Sequence, residues 1–164
     1  MLVYCGLMTE IRLLIHDIRS THNVGSLFRT ADAAGVSRIY ISGYSPTPID
    51  RFGRKVKELS KVALDAEEVV PWEQVGDVFA LISTLKQGGW KIVGVEQDER
   101  SIDYRNFTGE GRILVVMGTE VGGMTGELRA ACDTLLEIPM HGMKDSLNVS
   151  VAAGIVLFSL RRED

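Results

Sequence analysis

The chain has 164 residues, 45% of them hydrophobic and 24% charged, enough for one buried core and ordinary for a soluble globular domain. No apolar run reaches the roughly 18 residues of a membrane span, so no membrane partner is expected. The formal net charge of −4 argues mildly against nucleic acid for the chain as a whole, although a local basic patch is compatible with it.

The opening "MLVYCGLMTEIR" is apolar but short, without a basic leader or cleavage pattern, and is not read as a signal peptide. Cys5 and Cys132 match no metal spacing and are expected to be reduced thiols of a cytoplasmic protein. A strand is predicted at "RLLIHDI" (12–18), then a helix over 23–35 and a strand at "RIYISGY" (38–44). Pro46 and Pro48 mark a loop, followed by a helix over 51–61, a weaker strand at "AEEVV" (66–70) and a helix over 75–88. Strands at "KIVGVE" (91–96), "RILVVMG" (112–118) and "TLLEIP" (134–139) alternate with helices over 124–131 and 146–161. The strands are almost continuously apolar, as strands covered on both faces are. Such alternation predicts one α/β domain over 1–164, a mostly parallel sheet flanked by helices. Ligands of such sheets bind beyond the carboxyl ends of the strands. Those ends are polar or glycine-rich here: "HDIRSTHN", "SGYSPT", "VEQDE", "GTEVGG" and "PMHGMKDS".

Four segments could carry chemistry. In "NVGSLFRTADAAG" (23–35), Val24, Leu27, Phe28, Ala31 and Ala34 share one helical side, with Arg29 roughly opposite and one turn after Gly25. An arginine lying over a glycine near a helix start suits a phosphate or a developing anion, and equally a solvated cation. "VVMGTEVGGMTGEL" (115–128) runs from a strand into a glycine-rich turn holding Glu120, and matches neither dinucleotide nor triphosphate motifs. In "DSLNVSVAAGIVLFSL" (145–160), Asp145 or Ser146 is expected to cap a helix whose first turn carries Asn148 and Ser150. Leu147, Val151, Gly154, Ile155 and Phe158 form one face, but the helix is apolar nearly all round and belongs in a core or under a partner. Finally, "RFGRKVKELSK" (51–61) reads as a helix with Arg54, Lys57 and Lys61 on one face, able to track phosphates or simply solvated. His16, His22 and His141 form no metal-ligand spacing, so no metal is expected.

In order, "NVGSLFRTADAAG", "VVMGTEVGGM" and "IPMHGMKDSLNVSVAAGIVL" resemble the three motifs of the SpoU (TrmH) family of RNA ribose methyltransferases, over about residues 11–161. The resemblance implies a SPOUT-type α/β knot, with a C-terminal deep trefoil. It implies a homodimer, S-adenosylmethionine as cofactor, and methyl transfer to a ribose 2′-hydroxyl of tRNA or rRNA. Carried over, Asn23, Arg29, Glu120, Asn148 and Ser150 are the catalytic set, and the cofactor touches backbone around Val95, Gly118, Ile138 and Leu147. Many relatives carry an added RNA-binding domain; this chain resembles the minimal members, so RNA is expected to meet the core and the dimer surface, with Arg54, Lys57 and Lys61 the candidate RNA-binding residues read from their spacing.

The family picture gives Arg29 base character. A free guanidinium holds its proton to above roughly pH 12, so an electrostatic role, on phosphate or developing alkoxide, is the stronger expectation. Two other readings are a non-catalytic RNA-binding protein of the same fold and a small-molecule α/β enzyme. Intact Arg29 and Asn148 argue against the first. The acidic balance favours the second.

Overall fold

The computed structural model describes residues 9–119 and 121–161. Alternation within the strands builds the fold. Strand β1 (Glu10–His16) sends Ile11, Leu13 and Ile15 to one face and Leu14 to the other. Strand β6 (Arg112–Met117) repeats this, with Ile113, Val115 and Met117 opposite Leu114 and Val116. Strands β2 (Arg38–Ser42), β3 (Trp72–Val75), β4 (Lys91–Val95), β5 (Ile102–Asp103) and β7 (Thr134–Glu137) complete a sheet in the order β3-β2-β1-β6-β4-β7-β5. Every pairing of these strands is parallel. Both faces are covered, as the near-continuous apolar runs predict.

One face carries helices α1 (Thr21–Ala33), α2 (Lys57–Ala63), α3 (Ala66–Val69) and α6 (Val149–Ser159). The other carries α4 (Val78–Gln87) and α5 (Gly126–Ala131). Helix α1 buries Val24, Leu27, Phe28 and Ala31, the predicted stripe. It starts earlier than predicted because Ser20 caps it, its side chain accepting the Asn23 N–H at 3.1 Å.

Three expectations need correction. The segment 66–70 is not a strand: Leu64 and Asp65 take left-handed backbone (φ 51° and 68°), α3 follows, and the strand begins after Pro71. Residues 51–56 are not helical. Asp50 Oδ1 accepts the N–H groups of Phe52 (2.8 Å) and Arg54 (2.9 Å), and Ile49 bridges Lys55, so the chain turns before α2 begins at Lys57. Arg54 therefore does not share a helical face with Lys57 and Lys61. Helix α6 starts at Val149, and its cap is Asn148 rather than Asp145 or Ser146.

Candidate active site

The strand ends meet where the apolar sheet gives way to polar loops. Beyond β4, β6 and β7 lies a cavity of about 420 Å³. Its wall includes Val95, Gly118, Ile138 and Leu147, so the four positions expected around the cofactor converge on one space. Leu136, Val149 and Ala152 add apolar wall, while Glu96, Glu137 and Asp145 contribute carboxylates. No lysine or arginine is among its lining residues. Such a wall favours a cationic ligand with an apolar body.

Glu96 organises the glycine turn that closes one side. Its Oε2 accepts the Met124 N–H at 2.6 Å and its Oε1 the Gln97 N–H at 3.0 Å. Gly123, at φ +67°, makes the approach possible, since a Cβ there would stand 2.3 Å from Glu96 Oε2. Gln97 then donates to the Asp145 carbonyl at 2.6 Å, tying the end of β4 to the loop before α6. Neither Glu96 nor Gln97 belongs to the three motifs. Only their position at a strand end marked them, because their partners are distant in sequence.

The first and third motifs meet directly. Asn148 Nδ2 donates to Asn23 Oδ1 at 3.1 Å. Asn148 Oδ1 accepts from the Ser150 N–H at 2.9 Å and the Ser150 hydroxyl at 2.6 Å. Asn148 thus caps α6 and bridges to α1 at once. Its neighbours Leu147 and Val149 both line the cavity, which sets this polar chain beside it.

Arg29 is exposed on α1 and makes no hydrogen bond or ion pair among the described residues. Its relation to Gly25 is not the expected one. Gly25 is buried where α1 crosses α2, and a Cβ there would lie 2.7 Å from the Leu59 carbonyl and 2.9 Å from Val62 Cβ. The glycine serves helix packing, not a ligand space, and Arg29 is open through its own exposure. Glu120 lies outside the described residues. Lys57 and Lys61 are exposed on α2. Arg54 is held by Asp50, with its guanidinium Nε 2.9 Å and Nη2 2.8 Å from Oδ2. The Arg54 backbone N–H, first among several donors, keeps the Asp50 carboxyl below its usual range.

Comparison with known proteins identifies the family and the fold. The model of the SpoU rRNA Methylase family matches residues 10–158. A 23S rRNA (guanosine-2′-O-)-methyltransferase RlmB of Vibrio parahaemolyticus is 39% identical over 155 residues, 94% of this chain and 60% of that protein. The corresponding RlmB of Photobacterium profundum is 37% identical, over 96% of this chain and 62% of the relative. The chain thus spans about three fifths of the length of these relatives. Among solved structures, an AdoMet-bound rRNA methyltransferase from Sinorhizobium meliloti aligns at TM-score 0.83 and 29% identity, covering 93% of this chain and 56% of that one. A TrmH/SpoU tRNA modifying enzyme of A. aeolicus aligns at TM-score 0.77 and 25% identity, over 94% and 74% of the two chains. The α/β class expected from the sequence is therefore the SPOUT arrangement of these neighbours. With its family match over nearly the whole described length, the chain belongs to the SpoU rRNA methylase family.

Proposed function

We propose that this chain transfers a methyl group from S-adenosylmethionine to a ribose 2′-hydroxyl of RNA, rRNA or tRNA. The observation that carries the reading is the convergence of Val95, Gly118, Ile138 and Leu147 on one acid-walled cavity beside the Asn23–Asn148–Ser150 chain. Bound there, S-adenosylmethionine would supply an activated methyl on a sulfonium cation. The carboxylates of Glu96, Glu137 and Asp145 suit its positive charge, and the apolar wall suits its adenosine.

The ribose 2′-hydroxyl would be held in line with that methyl group, its proton passing to solvent as the methyl is transferred. Exposed Arg29, bound to nothing else among the described residues, holds the target phosphate or offsets charge on that oxygen. Asn148, fixed through its cap and through Asn23, keeps the first turn of α6 in place against the cavity. Glu120 completes the set by its place in the second motif. Lys57 and Lys61 supply phosphate contacts along α2, with Arg54 joining from the preceding turn.

The active form is a homodimer. On α6, Val151 is 49% and Phe158 52% exposed, and Leu147 just before it 40% exposed. These are three of the five residues of the predicted apolar face, and a second copy covers them best. No helix among the described residues is long and apolar enough to cross a membrane. The likeness to bacterial rRNA methyltransferases supports the cytoplasm as the site of action.

Calorimetry with S-adenosylmethionine and its demethylated product tests the reading. Binding of both without RNA is expected. Ligand at about 100 times its dissociation constant should stabilise the fold by roughly 2.7 kcal/mol. Absence of binding to either removes the enzyme.

A further inference from the structure

The loop between β2 and α2 carries two exposed aromatic rings, each faced by arginine. Tyr44 is 51% and Phe52 65% exposed. The Arg19 guanidinium stands 5.3 Å from the Tyr44 ring centroid. Arg51 and Arg54 stand 4.7 and 5.0 Å from that of Phe52. Between Tyr44 and Lys57 the sequence holds Arg51, Arg54, Lys55 and Lys57; Arg54 pairs with Asp50 and Lys55 with Glu67 and Glu68, which leaves Arg51 and Lys57 without an ion pair among the described residues. With Arg19 beside Tyr44, Arg51 and Lys57 give this loop local positive charge in a protein of net charge −4.

The loop is built rather than loose. Tyr44 N–H donates to Asp17 Oδ1 at 3.1 Å, and Ser45 Oγ accepts the Ile18 N–H at 2.9 Å. Val56 N–H donates to the Pro48 carbonyl at 2.9 Å, and Asp50 holds the turn around Phe52. The Tyr44 hydroxyl reaches Thr119 Oγ1 at 3.4 Å, and Thr119 lines the cavity. One ring thus stands at the cavity rim and the other further along the same loop.

We propose that the loop 43–56 is a stacking track for unpaired RNA, with Tyr44 and Phe52 each receiving a base and Arg19 and Arg51 meeting the adjoining phosphates. This rests on the RNA methyltransferase reading and names its substrate as a single-stranded segment. The argument is charge and shape together. Exposed rings with guanidinium neighbours are what single-strand binders present, because every base has a π-face and the backbone is anionic. In a duplex those faces are hidden by neighbouring pairs, so the rings could not be used. The order of the sites follows from Thr119: the base on Tyr44 belongs next to the nucleotide entering the cavity.

The test measures anisotropy of two labelled RNAs on the 164-residue chain loaded with the demethylated cofactor product. One is an unstructured oligomer of about twelve nucleotides, within the usual footprint of such binders. The other is a duplex of the same sequence. Phe52→Ala and Tyr44→Ala are each expected to weaken the single strand about fivefold or more and to leave the duplex within about twofold. Phe52→Trp and Tyr44→Phe, which keep a ring, should retain single-strand affinity. Alanine variants that bind both RNAs like the wild type overturn the proposal. So does an equal loss for both, which makes the surface a phosphate contact alone, or a changed sedimentation coefficient, which makes it a protein interface. A wild-type chain that binds neither RNA removes the RNA reading itself.

Discussion

Asn148 donates its side-chain amide to Asn23 at 3.1 Å, joining the first and third motifs across 125 positions of chain. The same side chain caps α6 through the Ser150 N–H at 2.9 Å. One residue thereby does two separable things. Asn148→Asp keeps an acceptor for the cap and loses the donor toward Asn23. It should melt close to the wild type yet lose about 100-fold in methyl transfer, as misplaced groups commonly do. Asn148→Ala also loses the cap, worth about 1 kcal/mol, and should melt lower. Thermal melts beside single-turnover rates separate the two; an Asp variant with wild-type rate assigns the bridge no part in the reaction.

Arg29→Ala should leave stability and cofactor affinity nearly unchanged, since an exposed side chain without partners among the described residues opens no cavity. Methyl transfer should fall by about 100- to 1,000-fold, the usual loss of a charge-assisted contact made in the transition state. Arg29→Lys should rescue poorly, lacking the planar fork. Unfolding of the alanine variant would make Arg29 structural.

Gly25→Ala is expected to destabilise. The new methyl meets the Leu59 carbonyl at 2.7 Å and Val62 Cβ at 2.9 Å. Overpacking of this kind costs about 1–3 kcal/mol, more than the roughly 1 kcal/mol that alanine gains in helix propensity. A denaturant titration showing unchanged or raised stability contradicts the close crossing of α1 and α2.

Val151→Glu places a charge on the uncovered face of α6. It should convert a dimer into a monomer in sedimentation at micromolar concentration, with the melting temperature dependent on concentration only in the wild type. A wild-type monomer under those conditions counts against the homodimer.

Much of this architecture is legible from residue order. The sheet is read correctly because Leu13–Ile15, Ile39–Ile41 and Ile113–Met117 are apolar on both faces, a pattern that only a covered parallel strand sustains. The segment 51–56 is misread as helix because Phe52, Val56 and Leu59 are spaced like one, while the Asp50 side chain, which decides the turn, acts through hydrogen bonds that periodicity does not register. Strand β5, two residues long, carries too little pattern to be seen. Asn23, Asn148 and Ser150, which hydrogen bonds join in the structure, are singled out through the motif resemblance. Glu96 is not, because its importance arises when the end of β4 meets the turn 122–124, a contact across 28 residues. Gly25 is noticed for the wrong reason, since its neighbour in space is α2 rather than a ligand.

The central claim is tested most directly by the product. The chain, methyl-labelled S-adenosylmethionine and an rRNA or tRNA fraction lacking the modification are incubated together, and the RNA is hydrolysed in alkali. The account predicts label in an alkali-resistant dinucleotide that digestion and mass spectrometry identify as a 2′-O-methyl nucleoside, formed about 100-fold or more slowly with Arg29→Ala. Label on a base, or no transfer to any RNA by a chain that binds the cofactor, contradicts it.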